Sequence, residues 1–334
     1  GKELDNRMLD FYYWQQYYTL MSNYGSYASY FIDTSKPFDQ QMCMFDDTRT
    51  WQQYFLQAAI TNYENVTAIW QEARLAGFQL SQEDQDYLDE LDGQITVAAA
   101  SYSYGSADEY LQMAYGPAAT LTSYHAFVER QITASAYLQV LVDEKPYTED
   151  DISKYYDDNA DSYAGNGIEK SDVKMVNVRH ILIQPEGKND DGTYTDEAWA
   201  EAEKKANDLL TEWQNGEHTE DSFAFMAAEN SQDPGSVENG GLYEDIYPGK
   251  MVDEFDAWCF DPARQPGDTG IVKTSYGYHI MYFSSTGEHA YWYVRAEEDY
   301  LNELSVSVLQ EVAAKFEVTE SEQNAAIVDI MQQN

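Results

Sequence analysis

The sequence predicts a small α+β domain, a mixed sheet flanked by helices, inserted in an all-α domain. Two observations support this prediction. Alternating apolar runs, typical of β-strands, are confined to the middle of the chain, at about 174–184 and 270–284. Apolar residues at helical spacing occupy the parts before and after that region. The C-terminal helices would have no second layer of their own, so we expect them to pack back on the N-terminal helices.

The N-terminal part, residues 1–165, is predicted to be helical. Gly77 would end one helix, Ser81 would cap the next, and Ser106 opens a capping-box pattern. The stretch from Tyr24 to Phe45, rich in Ser, Asp and Tyr, is predicted to be a long loop.

The middle part, residues 172–286, is predicted to be the α+β domain, reached through a linker at 165–171. Its expected elements are a strand at 174–184, helices at 197–214, 220–229 and 250–260, and strands near 270–274 and 278–284.

The last part, residues 288–334, returns to helical spacing. One stripe consists of Tyr300, Leu301, Leu304, Val308 and Val312. Thr319 would cap a final helix that carries Ala326, Ile327 and Ile330.

Composition narrows the class of partners. The chain has 334 residues, with 60 acidic against 19 basic side chains and a formal net charge of −41. Such a polyanion repels nucleic acid phosphates and anionic lipid, so we expect neither as a direct partner. The 29 tyrosines argue against wholesale disorder. They would either border the core or offer flat contact surface to other chains.

Neither cysteine predicts a metal site or a disulfide. Cys43 and Cys259 fall in different predicted domains, and neither has metal-ligand spacing around it. No calcium-loop pattern occurs, so we expect no metal and no cofactor. No run reaches the ~18 apolar residues of a membrane span.

Two histidines are the first candidates for a functional site. His180 shares its predicted strand face with Val178 and Leu182. His279 shares its face with apolar neighbours in the same way. Each histidine alone would more often be a satisfied core residue. Together, in an apolar cleft, they suit the rotation of a bond better than hydrolysis, for which no nucleophile motif is present.

Five motifs follow one another in this region. They are Val178-Arg179-His180-Ile181-Leu182, Ser231-Gln232-Asp233-Pro234-Gly235-Ser236 running into Gly240-Gly241, Gly249-Lys250-Met251 with Phe255, Pro266-Gly267-Asp268, and Gly277-Tyr278-His279. In this order the segment resembles the parvulin family of peptidyl-prolyl cis/trans isomerases.

The resemblance implies roles for seven residues. The catalytic network would be His180, Asp233 and His279, and the substrate-binding residues would be Leu242, Met251, Phe255 and Tyr276. Without the resemblance, Asp233 before Pro-Gly would be a turn former. For Met251 and Phe255 the alternative is a pair of core residues. The spacing of four between Met251 and Phe255 suggests that one helical turn presents both.

This chain departs from the family pattern in two places. The stretch between Leu242 and Met251 is about one residue longer than in short family versions. The loop after the first strand offers only Lys188 among several acids, where phosphate-directed parvulins carry a basic cluster. We therefore expect no preference for phosphoserine- or phosphothreonine-proline substrates.

The layout of the whole chain resembles the PrsA-type extracytoplasmic foldases of Gram-positive bacteria and, more loosely, SurA-type chaperones. That resemblance implies an extracytoplasmic location, at the cell envelope or secreted. It also implies a lipid anchor on a cysteine upstream of Gly1, and clients that are unfolded or partly folded secreted polypeptides with X–Pro bonds. The alternative is a chaperone, or holdase, whose isomerase domain is weak or inactive. Composition leaves the oligomeric state open.

Overall fold

The structure is a computed structural model that describes residues 6–187, 189 and 192–316. The chain divides into two compact units: Gly1–Pro146 with Leu301–Asn334, and Tyr147–Tyr300. Among the described residues, none of the helices combines the length and the apolar character needed to cross a bilayer.

The first unit is built from helices and one small hairpin. Its elements are α1 (Asn6–Tyr24), β1 (Met42–Cys43), β2 (Asp46–Thr50), α2 (Trp51–Ala76), α3 (Gln82–Ser101), α4 (Ala107–Tyr115) and α5 (Leu121–Asp143). The caps predicted at Ser81 and Ser106 are confirmed, because each side chain accepts a backbone N–H of its helix. Gly77 ends α2 in the left-handed conformation, with φ of 70°.

The prediction of one long loop between Tyr24 and Phe45 was wrong. This stretch contains 3₁₀ helices at Gly25–Tyr30 and Phe38–Gln40, followed by β1. Its apolar residues explain the order, since Ile32 and Phe38 are buried in the core of the first unit. Because the surrounding sequence is polar and rich in tyrosine, Ile32 and Phe38 were not predicted to be core residues.

The second unit contains α6 (Glu149–Asp158), α7 (Ala160–Gly165), β3 (Lys174–Ile183), α8 (Asp196–Asn215), α9 (Glu220–Asn230), β4 (Leu242–Ile246), α10 (Asp253–Cys259), β5 (Thr269–Thr274), β6 (Gly277–Ala290) and the start of α11 (Tyr291–Ala313). The sequence grouped residues 147–165 with the N-terminal helices, whereas the structure places them in this unit. There, Ile152, Tyr156 and Tyr163 pack with Tyr293 and Ala296 of α11.

The end of α11 belongs to the first unit. Val312 lies in one apolar cluster with Ala68 and Ile69 of α2 and Ala134 of α5. The predicted last helix, from Thr319 on, lies outside the described residues.

The sheet of the second unit has the order β4-β3-β6-β5, and every neighbouring pair is antiparallel. The α+β class is confirmed, but the sheet is not mixed. Strands β3 and β6 are antiparallel because β6 begins at the end of the sheet where β3 finishes. Ile183, the last residue of β3, pairs with Tyr278 near the start of β6. Strand β4, which the sequence did not predict, is short and interrupted by a bulge, with Asp245 at φ of 52°.

Both faces of the sheet are covered. One face carries Ile181, Ile183 and Ile280 against Ala206 of α8 and Phe223 of α9. The other face carries Val176, Val178, Met281 and Phe283 against Phe255 and Cys259 of α10. Both cysteines of the chain are free and buried. The predicted alternation of the central strands is confirmed, and it places both histidines on the α10 face.

Candidate active site

His180 and His279 are diagonal neighbours on the two central strands. His180 pairs with Met281 and His279 pairs with Leu182, so the two rings lie one step apart across the β3–β6 ladder. Their Nδ1 atoms are 3.0 Å apart, and both side chains are buried. The sheet register therefore brings together the two histidines that lie 99 positions apart in the sequence.

Asp233 joins this pair from a loop. Its Oδ2 lies 2.9 Å from His180 Nε2 and accepts the hydroxyl protons of Ser236, at 2.6 Å, and Tyr243, at 2.9 Å. Asp233 also forms a turn, because its Oδ1 accepts the N–H of Gly235. The turn-forming role and the network role of this aspartate coexist.

The loop that carries Asp233 is fastened to β3 as if it were a neighbouring strand. Ser231 Oγ accepts the N–H of Leu182, and the N–H of Gln232 donates to the carbonyl of Leu182. The side-chain oxygen of Gln232 accepts the N–H of Gln184. These bonds fix the start of the loop beside His180.

When both rings are neutral, the network assigns a tautomer to each of them. The Asp233 carboxylate can only accept, so a neutral His180 carries its proton on Nε2 and leaves Nδ1 bare. His279 must then donate from Nδ1 to His180, and its bare Nε2 accepts the hydroxyl of Thr274 at 2.8 Å. Thr274 Oγ1 in turn accepts the N–H of Tyr276. The hydrogen bonds thus run in one direction, from the β5–β6 turn to Asp233.

Burial and charge set the protonation of this network at neutral pH. The hydrogen bond from His180 holds the pKa of Asp233 well below its ordinary value, against the opposing effect of burial, and those from Ser236 and Tyr243 lower it further. Burial, reinforced by His180, lowers the pKa of His279 to about 4. Burial and the neighbouring Asp233 raise the pKa of Tyr243 to about 12. His279 is therefore neutral and Asp233 is charged.

Phe255 closes the apolar side of the site. Its ring meets His180 and His279 edge to face, each at a centroid distance of 5.4 Å. Met251 packs against the same cluster. The prediction that one helical turn presents both Met251 and Phe255 was wrong, because α10 begins only at Asp253. Met251 instead follows a tight turn, in which the N–H of Lys250 bonds to the carbonyl of Tyr247.

The side chain that lies on the histidine face of β4 is Tyr243 and not Leu242. Leu242 pairs with Arg179 on β3, whereas Tyr243 pairs with Val178 and so lies on the histidine face. The Tyr243 ring is 5.3 Å from the ring of His180 and packs beside Met251 on the α10 cluster. A one-residue shift along a strand moves a side chain to the other face, so the structure places Tyr243 beside the histidines, whereas the resemblance implied Leu242.

Tyr276 lies in the two-residue turn between β5 and β6 with 57% of its surface exposed. Only its N–H takes part in the network. Sequence reasoning overlooked Ser236, Tyr243 and Thr274. Ser236 closes the quoted loop motif, and Thr274 is a polar residue on an otherwise apolar strand face. Within the described ranges, no group of three or more His, Cys, Asp and Glu side chains is placed to hold a metal ion.

Comparison with known proteins gives a match to one family. Residues 166–285 match the family described as the PPIC-type PPIASE domain. Foldase protein PrsA 1 of Listeria innocua is 31% identical over 106 residues, 32% of this chain and 29% of that protein. Foldase protein PrsA of Geobacillus sp. is 44% identical over 80 residues, 24% of this chain and 27% of that protein.

Chaperone SurA of Pseudomonas savastanoi pv. phaseolicola is 35% identical over 107 residues, 32% of this chain and 22% of that protein. The chain thus matches less than a third of the length of each of these relatives. Among solved structures, PrsA from Bacillus subtilis has a TM-score of 0.36 at 18% identity, over 85% of this chain and 96% of that one. Residues 166–285 are therefore similar to the PPIC-type PPIASE domain, and over the part that aligns the chain resembles the PrsA foldases.

Proposed function

We propose that the second unit is a peptidyl-prolyl cis/trans isomerase that twists X–Pro bonds without covalent chemistry. The observation that supports this most is the position of Phe255, edge-on to both rings of the histidine pair. This places an apolar surface for a prolyl ring directly against a polar network. The proposal extends the similarity of residues 166–285 to the activity of the whole chain.

The site has to lower a rotational barrier of about 20 kcal/mol, which arises from the resonance of the planar amide. Met251, Phe255 and Tyr243 would hold the prolyl ring and exclude water. An apolar environment disfavours the dipolar planar amide relative to the twisted one. Each tenfold in rate needs about 1.4 kcal/mol of such preference.

The neutral state of His279 fits this mechanism. A cation beside the carbonyl oxygen would stabilise the dipolar planar amide and so raise the barrier. Burial keeps the pKa of His279 near 4 and prevents this at neutral pH. We propose that His180 and Asp233 act together with it by holding its tautomer, as catalytic members of the network.

The test is an NMR exchange or protease-coupled assay on unphosphorylated X–Pro tetrapeptides. We expect catalysis by the native chain and a drop of about tenfold in kcat/KM for Met251→Ala. Leu75→Ala, at an exposed position of the first unit, is the matched control and should change nothing. A native chain without catalysis, over several residues before proline, would rule out the isomerase.

A second candidate, binding of unfolded chains by the first unit, is favoured by an exposed apolar surface. The turn between β1 and β2 presents Met44 and Phe45 to solvent, where hairpin tips usually carry polar turn formers. Tyr27 and Tyr30 of the first 3₁₀ helix are also exposed, Tyr30 at 76%. Methionine and tyrosine side chains suit contact with varied apolar segments.

Suppression of client aggregation tests this candidate separately. We expect the double variant Met44→Ser and Phe45→Ser to suppress aggregation less while its isomerase activity stays unchanged. Leu75→Ser, which removes another exposed apolar side chain of the same unit, serves as the control. Equal suppression by the double variant and by the native chain would contradict the proposed surface.

We propose clients that are unfolded or partly folded secreted polypeptides with X–Pro bonds, met outside the cytoplasm at the cell envelope. The similarity to PrsA foldases supports this location. Fractionation of cells that produce the chain from its natural gene tests it. Recovery in the cytoplasmic fraction would contradict it.

A further inference from the structure

Arg179 precedes His180 in β3, but its side chain lies on the opposite face of the sheet. It pairs across the ladder with Tyr282, which belongs to the α8 and α9 side. Only 16% of the Arg179 side chain is exposed. It lies on the other side of the sheet from the histidines and the apolar cleft, so the mechanism above gives this partly buried cation no role.

The guanidinium has three acceptors. Nε donates to Glu220 Oε1 at 2.9 Å. One terminal nitrogen, Nη1, donates to the carbonyl oxygens of Asn239, at 2.9 Å, and Gly240, at 3.1 Å. Charge-assisted bonds of this kind are stronger than neutral ones, and the planar fork fixes the geometry of what it binds.

The segment that Arg179 binds is otherwise held by hydrogen bonds: the side chain of Asn239 bonds to the N–H and the carbonyl of Leu242, and the N–H of Gly240 donates to the carbonyl of Val237. Gly240 and Gly241 both adopt positive φ, at 70° and 76°, and have no side chains to pack. A Cβ on Gly241 would lie 2.3 Å from the carbonyl oxygen of His180, so no larger residue fits. The two glycines are needed for close approach, and without side chains to pack they leave hydrogen bonds, including the two from Arg179, to fix this stretch.

The same segment leads directly to Asp233. The N–H of Gly241 donates to the carbonyl of Ser236 at 2.7 Å, and its own carbonyl accepts the N–H of His180 at 2.8 Å. Ser236 Oγ donates to Asp233 Oδ2 and lies 3.1 Å from His180 Nε2. Ser231 and Gln232 hold the start of this loop, and Arg179 holds its end.

We propose that Arg179 is a positioning residue for the isomerase site: from the back of the sheet it fixes the Gly240–Gly241 segment and thereby the hydrogen bond between His180 and Asp233. The expected change in kcat rests on the proposed function, whereas the expected change in the tautomer of His180 does not. Its loss would act on kcat, because the apolar grip of Met251 and Phe255 on substrate does not depend on it.

The test uses the full chain with ¹⁵N-labelled histidine, of which there are five. In the native chain the ring nitrogen shifts of His180 should show one tautomer, protonated at Nε2. Arg179→Met should give mixed tautomers at His180 and lower kcat by about tenfold, or about 1.4 kcal/mol, with KM unchanged. Glu220→Gln is the matched control: it weakens one bond of the guanidinium, leaves both carbonyl bonds, and should keep kcat within about twofold.

A native tautomer and native kcat in Arg179→Met would overturn the proposal. If that variant does not fold, Arg179→Lys is read in the same way, because an ammonium cannot reach Glu220 and both carbonyls in the fork geometry. An unshifted His180 in Arg179→Lys then overturns it too. If the native chain shows no isomerase activity, the tautomer measurement still decides the role of Arg179, and the proposed function alone fails.

Discussion

A single carboxylate oxygen organises the polar half of the site. Oδ2 of Asp233 meets His180, Ser236 and Tyr243, and each of these contacts favours the charged form. Because the folded chain binds this proton less readily than the unfolded chain, Asp233 stabilises the fold above its ordinary pKa of about 4. That stabilisation is lost as the pH falls below this value towards the folded pKa.

We expect Asp233→Asn to cost about 2 kcal/mol of stability in the second unit at pH 7, since it removes the charge from three hydrogen bonds. The cost should shrink at pH 3. Urea unfolding followed through the amide signals of β3 measures both values, and Asp256→Asn, an acid of α10 with one bond to the N–H of Gly249, is the control. An equal cost of Asp233→Asn at the two pH values would mean that its charge is not what stabilises the fold.

At the scale of single residues, the sequence identified those site residues whose type is unusual in its setting and missed those whose type is common there. A histidine in the middle of an apolar strand stands out, so His180 and His279 could be predicted, and the loop pattern identified Asp233. Ser236 and Thr274 are residue types that occur in any turn or strand. Their role depends on distances of about 3 Å across the fold, which no single stretch of sequence contains.

The next scale is that of the strand. The bulge at Asp245 lets Tyr243 and Ile246, three positions apart, lie on the same face of β4 opposite Val178 and Val176. Pattern reading assumes strict alternation and does not expect this. Two acids inside β4, Glu244 and Asp245, also made the strand look like a loop. The extra residue noted before Met251 disappears once Tyr243, instead of Leu242, is counted as the cleft residue.

The strand register predicts opposite outcomes for two neighbours. Tyr243→Ala should lower kcat/KM for X–Pro peptides by about tenfold or more, because it removes a cleft wall and a donor to Asp233. Leu242→Ala should change it by less than about twofold, since that side chain belongs to the other face. Steady-state assays on the two variants, each checked for native circular dichroism, decide the matter. A larger loss in Leu242→Ala would reverse the assignment.

Charge is the property of the molecule as a whole. A net charge of −41 creates a field that opposes anionic substrates and favours cationic ones. The site itself adds Asp233, held in its charged form. Lys188, the cation expected in the loop after β3, lies outside the described residues.

The sequence also did not predict that residues 147–165 belong to the same unit as the sheet. Their assignment depends on Tyr156 and Tyr163, which pack against residues of α11 far along the chain.

We expect kcat/KM to be highest for Lys-Pro, intermediate for Ala-Pro and lowest for phosphoserine-Pro tetrapeptides. The spread should narrow when salt is raised from 0.02 to about 0.5 M, because the screening length falls to a few ångströms. The neutral Ala-Pro peptide is the internal control and should respond little. Faster turnover of the phosphopeptide at every salt concentration would refute the electrostatic argument.

The order of the four-stranded sheet leaves β4 and β5 at its edges. An open edge invites other chains to add as a further strand, which is the first step of amyloid-like growth. Here one edge is five residues long, kinked by a bulge and lined by the exposed acids Glu244 and Asp245, and the other carries the exposed Lys273. The clients proposed above are unfolded chains, whose backbone N–H and C=O groups are unpaired. Edges of this kind offer such chains no continuous row of backbone partners on which to add as strands.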